Sequence, residues 1–429
     1  MAHVYGHADC TIAYLLPPQD VFAKPRQDPR IWSPCIFRRP NLPLRSVHIR
    51  PDIFGEIRDN ENDMRFLMRV LDIDWLSPRD WPLFTRAWVC QEYLLSPRIV
   101  FVGHRNLMWE CSSLFCDELL GPITQLRRAT ASKTEFSAVK SVTLPVKSVA
   151  AQLLAVQNWG KLVCHYRAGM LTQPKDRVMA FAGIAQAVQN SSGMAYLAGS
   201  WAQLFPFSFA WSVTTMDRSI ITEVEPAIEG APSWSWFSIP VFSDDVFEFE
   251  VIDRLLTPEI KMFEPMYQAT LLSWEDRSQQ ACADASPTKA FYDLAGMALN
   301  ISMKTWSGFL DNSGKPNFKI CRSIKDHLKT LWGQDGYHLQ CYFDHRYSHR
   351  DITFGLLIEL RTVDVSILRP DVPALVGLLM EKGREAYKRI GLWTLYLDRY
   401  PLGWDAERFD SASIFDQLEG VRSDYIMLV

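Results

Sequence analysis

The amino-acid pattern changes near residue 230, and this change constrains the fold more than any other feature of the chain. Beyond it, short runs of β-branched and aromatic residues alternate with proline, glycine, aspartate and asparagine, a pattern typical of antiparallel strands joined by turns. The most distinct runs lie at 246–252, 291–300, 336–343, 351–358, 374–380, 387–393 and 424–429. The sequence therefore predicts a β-rich region at 226–429.

Segments with helical periodicity precede that region. Apolar residues recur at i, i+3, i+4 and i+7 from Met64 to Leu71, which predicts a helix over 60–75. A second helix is predicted over 84–95. It is expected to end before Pro97, because the residue that precedes a proline disfavours helical geometry. The other predicted elements are helices at 146–168, 174–188 and about 195–214, and strands at 8–16, 46–49, 99–102 and 106–110.

Residues 127–145 are rich in serine, threonine and lysine and contain few large apolar side chains. This composition predicts a linker or a surface loop. The chain is therefore divided into 1–125, a helical region at 126–225, and the β-rich region at 226–429.

The overall composition is that of a folded protein with no strongly basic field. Apolar residues make up 48% of the 429 residues and charged residues 22%. The formal net charge is −4, from 45 basic and 49 acidic side chains. This balance gives no support to non-specific binding of nucleic acid, and we expect no nucleic-acid partner.

Cysteine usage and hydropathy predict a cytoplasmic location. The nine cysteines are odd in number and include no C-x-x-C pair, which argues against a disulfide framework and a ribbon-type zinc site. No apolar run resembles a signal peptide, and no apolar stretch reaches 18 residues. We therefore expect a soluble protein with reduced thiols, no membrane span, no metal and no cofactor.

The segment at 86–98 contains the most specific motif of the chain, R-A-W-V-C-Q-E-Y-L-L-S-P-R. It closely resembles the signature R-x-W-x-x-Q-E-x-L-L-S-P-R of the fungal heterokaryon-incompatibility (HET) domain. The resemblance makes signature residues of Arg86, Trp88, Gln91, Glu92, Leu95, Pro97 and Arg98.

Further segments resemble the same family in the family's order. Residues 1–8 are similar to its M-x-x-I/V-Y-x-x-A, and 174–185 to its P-x-D-K/R-x-x-A-x-x-G-I-A, which adds Asp176 and Arg177. Three later motifs, Y-x-A-G-x-W, P-S-W-S-W and Y-x-R-x-G, match at 196–201, 232–236 and 387–391. They add Trp201, Trp234 and Trp236 to the candidate residues.

The resemblance implies a fold and a role. HET domains look related to TIR domains, so the implied fold class is α+β: a partial TIR- or flavodoxin-like α/β part at 1–125, a helical middle and a β-rich C-terminal region. Two front segments of the family, Y-x-W-G and L-W-I-D-x-x-C-I-x-Q, have no match here. We therefore expect a HET domain truncated at its N-terminus.

Some TIR domains cleave NAD with a glutamate near the front of the fold. If HET domains share that chemistry, the segment that carries this glutamate has no match here. We therefore expect this chain to lack NAD hydrolysis and to carry no catalytic residue.

Three functional hypotheses remain open from the sequence. The resemblance implies a protein of fungal non-self recognition and programmed cell death, with protein partners or self-association. The second hypothesis is a non-catalytic interaction or regulatory remnant of that family. The third is an intracellular carbohydrate-active enzyme, because the chain has fifteen tryptophans and because Trp234 and Trp236, on a strand, would face the same side and could stack on a sugar.

The signature residues also have a structural interpretation. On a helix, Trp88 and Glu92 share one face, and Trp88 is expected to anchor the core with Leu94 and Leu95. Glu92 is expected to pair with Arg86 or Arg98, and Gln91 to satisfy backbone groups of a neighbouring loop. A contact surface or a pocket rim is the functional alternative.

Other combinations of reactive residues give weaker signals. His3, His7 and Cys10, or Asp344 with His345 and His349, have a spacing that a metal site could use, but no further ligand follows. Cys90 has no identifiable histidine partner for nucleophilic catalysis. The acidic pairs at 223/225 and 248/250 are typical of a strand's solvent face, although a glycosidase also uses two carboxylates.

Overall fold

The computed structural model describes residues 2–14, 83–102, 107–111, 114–117, 121–122, 133–215, 228, 230–241, 245–249, 263–276, 291, 294–311, 319–320, 337–344, 351–362, 373–397 and 421–429. The predicted helix over 60–75 and the predicted strand over 46–49 lie outside these residues. The chain forms two compact units. The first comprises 1–137 with 168–171, and the second comprises 138–167 with 172–429.

The described residues of the first unit form a five-stranded sheet, two short helices and most of a third helix, which is given below. The first two helices are α1 (Ala2–Gly6) and α2 (Ala87–Leu95). The strands, in sheet order, are β1 (Thr11–Tyr14), β2 (Arg98–Val102), β3 (Leu107–Cys111), β4 (Phe115–Asp117) and β5 (Gly121–Pro122). β1 runs parallel to β2, and the other pairs are antiparallel.

Local sequence explains the central elements of this unit. In β2 the buried positions alternate with more exposed ones, so Ile99 and Phe101 enter the core. α2 ends at Leu95 because Ser96, which precedes a proline, has an extended backbone. The predictions of a helix over 84–95 and of strands at 99–102 and 106–110 are confirmed.

The expectation of a linker at 127–145 is wrong for part of that segment. Residues Lys133–Lys140 form helix α3. Phe136 and Val139 lie three residues apart on this helix and are both buried. Only two apolar residues form the amphipathic pattern of this helix, so the serine- and lysine-rich composition did not indicate it.

Two helices open the second unit, and both were predicted. They are α4 (Val149–Arg167) and α5 (Arg177–Ser192). A 3₁₀ turn at Pro174–Asp176 precedes α5, consistent with the favourable position of proline at a helix start. α5 ends at Gly193, which adopts a left-handed backbone with φ of 73°.

The third predicted helix, over 195–214, is wrong. This segment forms a hairpin of β6 (Tyr196–Leu197) and β7 (Ser200–Trp201), two 3₁₀ turns, and β8 (Ser212–Thr215), which pairs with β9 (Asp245–Glu248). The two residues between β6 and β7, Ala198 and Gly199, have φ values of 37° and 100°. A two-residue turn with positive φ at both positions is the tight hairpin connection, which ends helical geometry.

Within the described part of this unit, nine strands form the main sheet. They are β10 (Phe263–Tyr267), β11 (Ala269–Asp276), β12 (Met297–Asp311), β13 (Lys319–Ile320), β14 (Tyr337–Phe343), β15 (Asp351–Thr362), β16 (Pro373–Lys382), β17 (Tyr387–Leu397) and β18 (Arg422–Leu428). Five of them, β12, β15, β16, β17 and β18, close on themselves and are called the ring below, because β12 pairs with both β15 and β18.

Close approach of backbones requires glycine inside the ring. A Cβ atom at Gly377 would lie 2.0 Å from the carbonyl oxygen of Gly355 and 2.6 Å from Nε1 of Trp393. The same Trp393 nitrogen donates a hydrogen bond of 3.2 Å to the Gly355 carbonyl. The two glycines therefore let β15 and β16 approach while a large indole fills the interior.

The chain is a mixed α+β protein with a β-rich C-terminal region, as the sequence predicts. The strands predicted from residue 291 onward each coincide, at least in part, with an observed strand. The kinship of 1–125 with a TIR-like fold stays a prediction, as do the boundaries at 125 and 225.

Candidate functional site

The signature segment forms helix α2, and most of it lies in the interior of the first unit. Seven of its nine residues are buried. The Ala87 N–H donates to the Met170 carbonyl at 3.0 Å, and the Met170 N–H donates to the Thr85 carbonyl at 2.6 Å. A Cβ at Gly169 would lie 2.7 Å from Cα of Ala87. The start of the helix is therefore tied to a second segment of backbone.

The buried face of α2 differs in one respect from the expected anchor. Leu94 and Leu95 are buried as predicted, but Trp88 is only half-buried. Gln91, by contrast, is 2% exposed. That Gln91 satisfies backbone groups of a neighbouring loop stays a prediction.

Glu92 pairs with a tyrosine and not with an arginine. The Tyr5 hydroxyl of α1 hydrogen-bonds to the half-buried Glu92, and partial burial together with the charge of Glu92 raises the pKa of Tyr5. The expected ion pair with Arg86 or Arg98 is wrong, since neither arginine forms an ion pair with Glu92 within the described residues. Arg98 lies past Pro97 on β2, and its Nη1 donates to the Asp9 carbonyl at 3.3 Å.

A buried lysine lies at the C-terminal end of α2. Lys133 Nζ donates to the carbonyl oxygens of Tyr93 and Ser96, and it lies 4.9 Å from the centroid of the Tyr93 ring. The last carbonyls of a helix lack partners within the helix and carry partial negative charge. Lys133 therefore caps α2 with a cation from α3.

Tyr93 connects this cap to a buried carboxylate. Its hydroxyl donates to both oxygens of Glu110 on β3, at 2.7 and 2.8 Å. Burial and the neighbouring Glu110 raise the pKa of Tyr93 well above its usual value. Burial also raises the pKa of the Cys90 thiol to about 12. A thiol with this pKa stays protonated at neutral pH, which makes it a poor nucleophile.

Sequence reasoning did not identify Lys133 and Glu110. Both are charged residues that are at least nine-tenths buried. The available signal was the apolar spacing of Phe136 and Val139, which would have placed Lys133 at the start of a helix.

The second unit brings two of the family-like motifs together at one turn. The Gly199 carbonyl accepts hydrogen bonds from Nε1 of Trp159 at 2.9 Å and from Nε1 of Trp236 at 2.8 Å. Ser235 Oγ donates to the neighbouring Ala198 carbonyl at 2.6 Å. A Cβ at Gly199 would lie 2.4 Å from Nε1 of Trp236. The glycine of the 196–201 motif is therefore required by the tryptophan of the 232–236 motif.

The 387–391 motif contacts the same 232–236 segment. The Arg389 N–H donates to Ser233 Oγ at 2.9 Å. Its guanidinium donates to Asp344 at 2.9 Å and to the carbonyls of Phe209 and Trp211 at 2.8 and 2.6 Å. We call Gly199, Ser233, Trp236, Asp344 and Arg389 the motif centre.

Burial controls the electrostatics of the motif centre. Arg389 and Asp344 are both buried, and the guanidinium lies 3.3 Å from the centroid of the Trp211 ring. Burial lowers the pKa of Arg389, and Asp344 opposes this shift. Removing one partner of such a pair leaves an uncompensated buried charge, so the pair is a structural requirement of this packing.

The tryptophans of the motifs are core residues. Trp201, Trp234 and Trp236 are each 0% exposed. The interpretation of 234–236 as a strand is wrong, because Trp236 begins a 3₁₀ turn that ends at Ser238. With no exposed face, the indoles of Trp234 and Trp236 cannot stack on a sugar in this conformation.

Asp176 and Arg177 lie at the start of α5. The Asp176 side chain makes no capping hydrogen bond there. The Arg177 guanidinium is 5.8 Å from the Tyr166 ring centroid, and the Tyr166 hydroxyl donates to the Arg177 carbonyl. Burial lowers the pKa of Arg177, and Tyr166 opposes this shift. These contacts join α4 to α5.

The described residues contain no group of three histidine, cysteine, aspartate or glutamate side chains able to hold a metal ion. Cys10 is exposed and directs its thiol to the Thr11 carbonyl, and Asp344 pairs with Arg389. The second potential metal group involves His345 and His349, which lie outside the described residues, as do Glu223, Glu225 and Glu250. Within the described ranges, no helix is both long and apolar enough to cross a membrane.

Searches of protein-family models, curated proteins and solved structures find no match to this chain. The HET resemblance therefore depends on the quoted motifs alone.

Proposed function

We propose that this chain is a heterokaryon-incompatibility-type protein that acts in fungal non-self recognition and programmed cell death. One observation carries the proposal. Three segments resemble separate motifs of one family, at 196–201, 232–236 and 387–391, and the middle one is hydrogen-bonded to each of the other two at the motif centre. Matches that arose by chance would have no reason to depend on each other physically.

The exposed part of the signature segment is the surface that we assign to partner recognition. Arg86, Pro97 and Arg98 are exposed, and the Tyr5–Glu92 pair of the same unit is half-buried. Charges of both signs and a tyrosine are suited to a specific protein contact. The partner is another protein or a second copy of this chain.

Induced expression in a filamentous fungus tests the proposal. The wild-type chain is expected to lower viability after induction, and Glu92→Gln to reduce this effect at least tenfold. Loss of one acceptor charge at a contact surface changes recognition with little change in the core. Glu385→Gln provides the control, because it makes the same chemical change at an exposed position of the second unit.

Protein levels and solubility are measured in parallel by immunoblotting of the soluble fraction. Full viability with abundant soluble wild-type protein would contradict the cell-death proposal. An equal loss of viability for Glu92→Gln would contradict the assignment of the surface.

A further inference from the structure

The ring has one weakly paired boundary, which we call the seam, between β17 and β18. β12 pairs with β18 in seven consecutive positions, from Leu299–Leu428 to Thr305–Arg422. β17 and β18 pair in parallel only at Tyr387 and Leu428 within the described residues. β18 is therefore paired along its whole length with β12, but at a single position with β17.

Ser233 of the motif centre reinforces this seam. Its N–H donates to the backbone oxygen of Val429 at 3.2 Å, and its Oγ donates to the same oxygen. The Val429 N–H in turn donates to the Tyr387 carbonyl at 3.0 Å. Val429 is thus bonded to a residue of β17 and, twice, to a residue of the 232–236 motif.

The rest of β18 has little burial to keep it in place. Ile426 and Leu428 enter the core, but Arg422 and Ser423 are exposed and Tyr425 is 84% exposed. Segments with few buried contacts and exposed backbone hydrogen bonds open at a lower free energy than the global unfolding reaction. β16, by comparison, is buried along six consecutive residues from Leu375 to Met380.

We propose that β18 opens from the ring as a local unit, and that Ser233 holds it closed and couples its opening to the motif centre. The coupling passes through one oxygen, because Ser233 Oγ both donates to Val429 and accepts the N–H of Arg389. Release of Val429 removes one of the hydrogen bonds that orient this oxygen toward Arg389. Local opening at the seam is therefore a property of this fold, and the inference does not rest on the proposed function.

Hydrogen exchange of the full chain, followed by mass spectrometry, tests this inference. In the wild type, exchange at 422–429 is expected to be faster than at 373–382 and nearly independent of low urea concentrations. Exchange at 373–382 should accelerate with urea, because global unfolding exposes much more surface. Equal rates and equal urea dependence in both segments would overturn the proposal.

Two variants examine the role of Ser233. Ser233→Ala is expected to accelerate exchange at 422–429 and at 387–390 by about tenfold, with no change at 373–382. Ser192→Ala is the matched control, because Ser192 Oγ also donates to a carbonyl, that of Val188, and accepts from a backbone N–H, that of Met194. Ser192→Ala should leave the exchange rates at 422–429 and at 387–390 unchanged.

An unchanged rate at 422–429 in Ser233→Ala, or a parallel rise in every strand of the ring, would overturn the assignment to Ser233. If that variant does not fold, Val429→Pro examines the seam from its other side. It removes the N–H that bonds to Tyr387 and leaves Ser233 in place, so local acceleration at 422–428 is expected. No acceleration there would also overturn the proposal.

Discussion

At the scale of single residues, the quoted motifs have physical reasons that a sequence pattern does not state. Gly199 and Trp236 are 37 positions apart, yet the glycine carbonyl accepts the indole N–H and the glycine Cα leaves space for the ring. Glu92 accepts a hydrogen bond from Tyr5, and the Arg389 guanidinium donates hydrogen bonds to two carbonyls and a carboxylate. Gly199, Glu92 and Arg389 are therefore each bonded to a partner that is distant in sequence.

Gly199→Ala is expected to lower the free energy of unfolding by about 2–4 kcal/mol, because the new Cβ meets the Trp236 indole and the backbone has a φ of 100°. Urea unfolding followed by tryptophan fluorescence measures this loss. Gly193→Ala is the control, since its φ is 73° but the nearest atom would be 3.7 Å away. Gly193→Ala should lower the free energy of unfolding by about 1 kcal/mol, from backbone strain alone. Equal losses in the two variants would refute the steric explanation.

At the scale of secondary-structure elements, α2 depends on a cap that lies on another helix. Lys133 is 40 positions from Tyr93, and its ammonium group donates hydrogen bonds to carbonyls that have no partner within α2. Helix α2 could be predicted from its apolar residues and from Pro97. Its cap could not, because the segment that supplies the lysine has the composition of a loop.

Lys133→Met keeps the length of the side chain and removes the donors. The two carbonyls then lack their cap, which is expected to cost about 1–3 kcal/mol and to accelerate hydrogen exchange in 90–96 more than in 98–102. Lys147→Met is the control, because Lys147 is exposed. Unchanged exchange in 90–96 would show that Lys133 does not stabilise the end of α2.

At the scale of the whole molecule, several acidic groups are held in their neutral form. Burial raises the pKa values of Cys90, Tyr93 and Tyr196. A pKa that is higher in the folded state than in the unfolded state contributes stability below the unfolded value, and this stability is lost as pH rises above it. The protein is therefore expected to lose stability above about pH 9, where an unfolded thiol begins to ionise.

Cys90→Ala isolates one part of this dependence. The thiol has a pKa of about 12 in the folded protein and a usual value of 9.0, so it contributes a slope of up to about 1.4 kcal/mol per pH unit between these values. The variant should show a shallower fall in unfolding free energy from pH 9 to 11 than the wild type. Cys10→Ala, at an exposed position, should keep the wild-type slope. Identical slopes in all three proteins would contradict the burial argument.

The sequence by itself determined the types of the elements that have a clear local pattern. Pro97 marked the end of α2, Pro174 marked the start of α5, and short β-branched runs marked the strands of the ring. These signals are short-range, because a helix or a strand buries one face at a fixed period. The same reasoning was wrong at 195–214, where an apolar segment contains a turn of two positive-φ residues.

Only the tertiary structure decided which side chains meet. Arg389 bonds to carbonyls 178 and 180 positions away, and Ser233 bonds to a residue 196 positions away. No local periodicity encodes such pairs, because they depend on how the ring closes and on which buried polar groups then need partners. The motifs therefore supplied Gly199, Ser233, Trp236 and Arg389 of the motif centre, whereas folding added Asp344 and determined which of these residues meet.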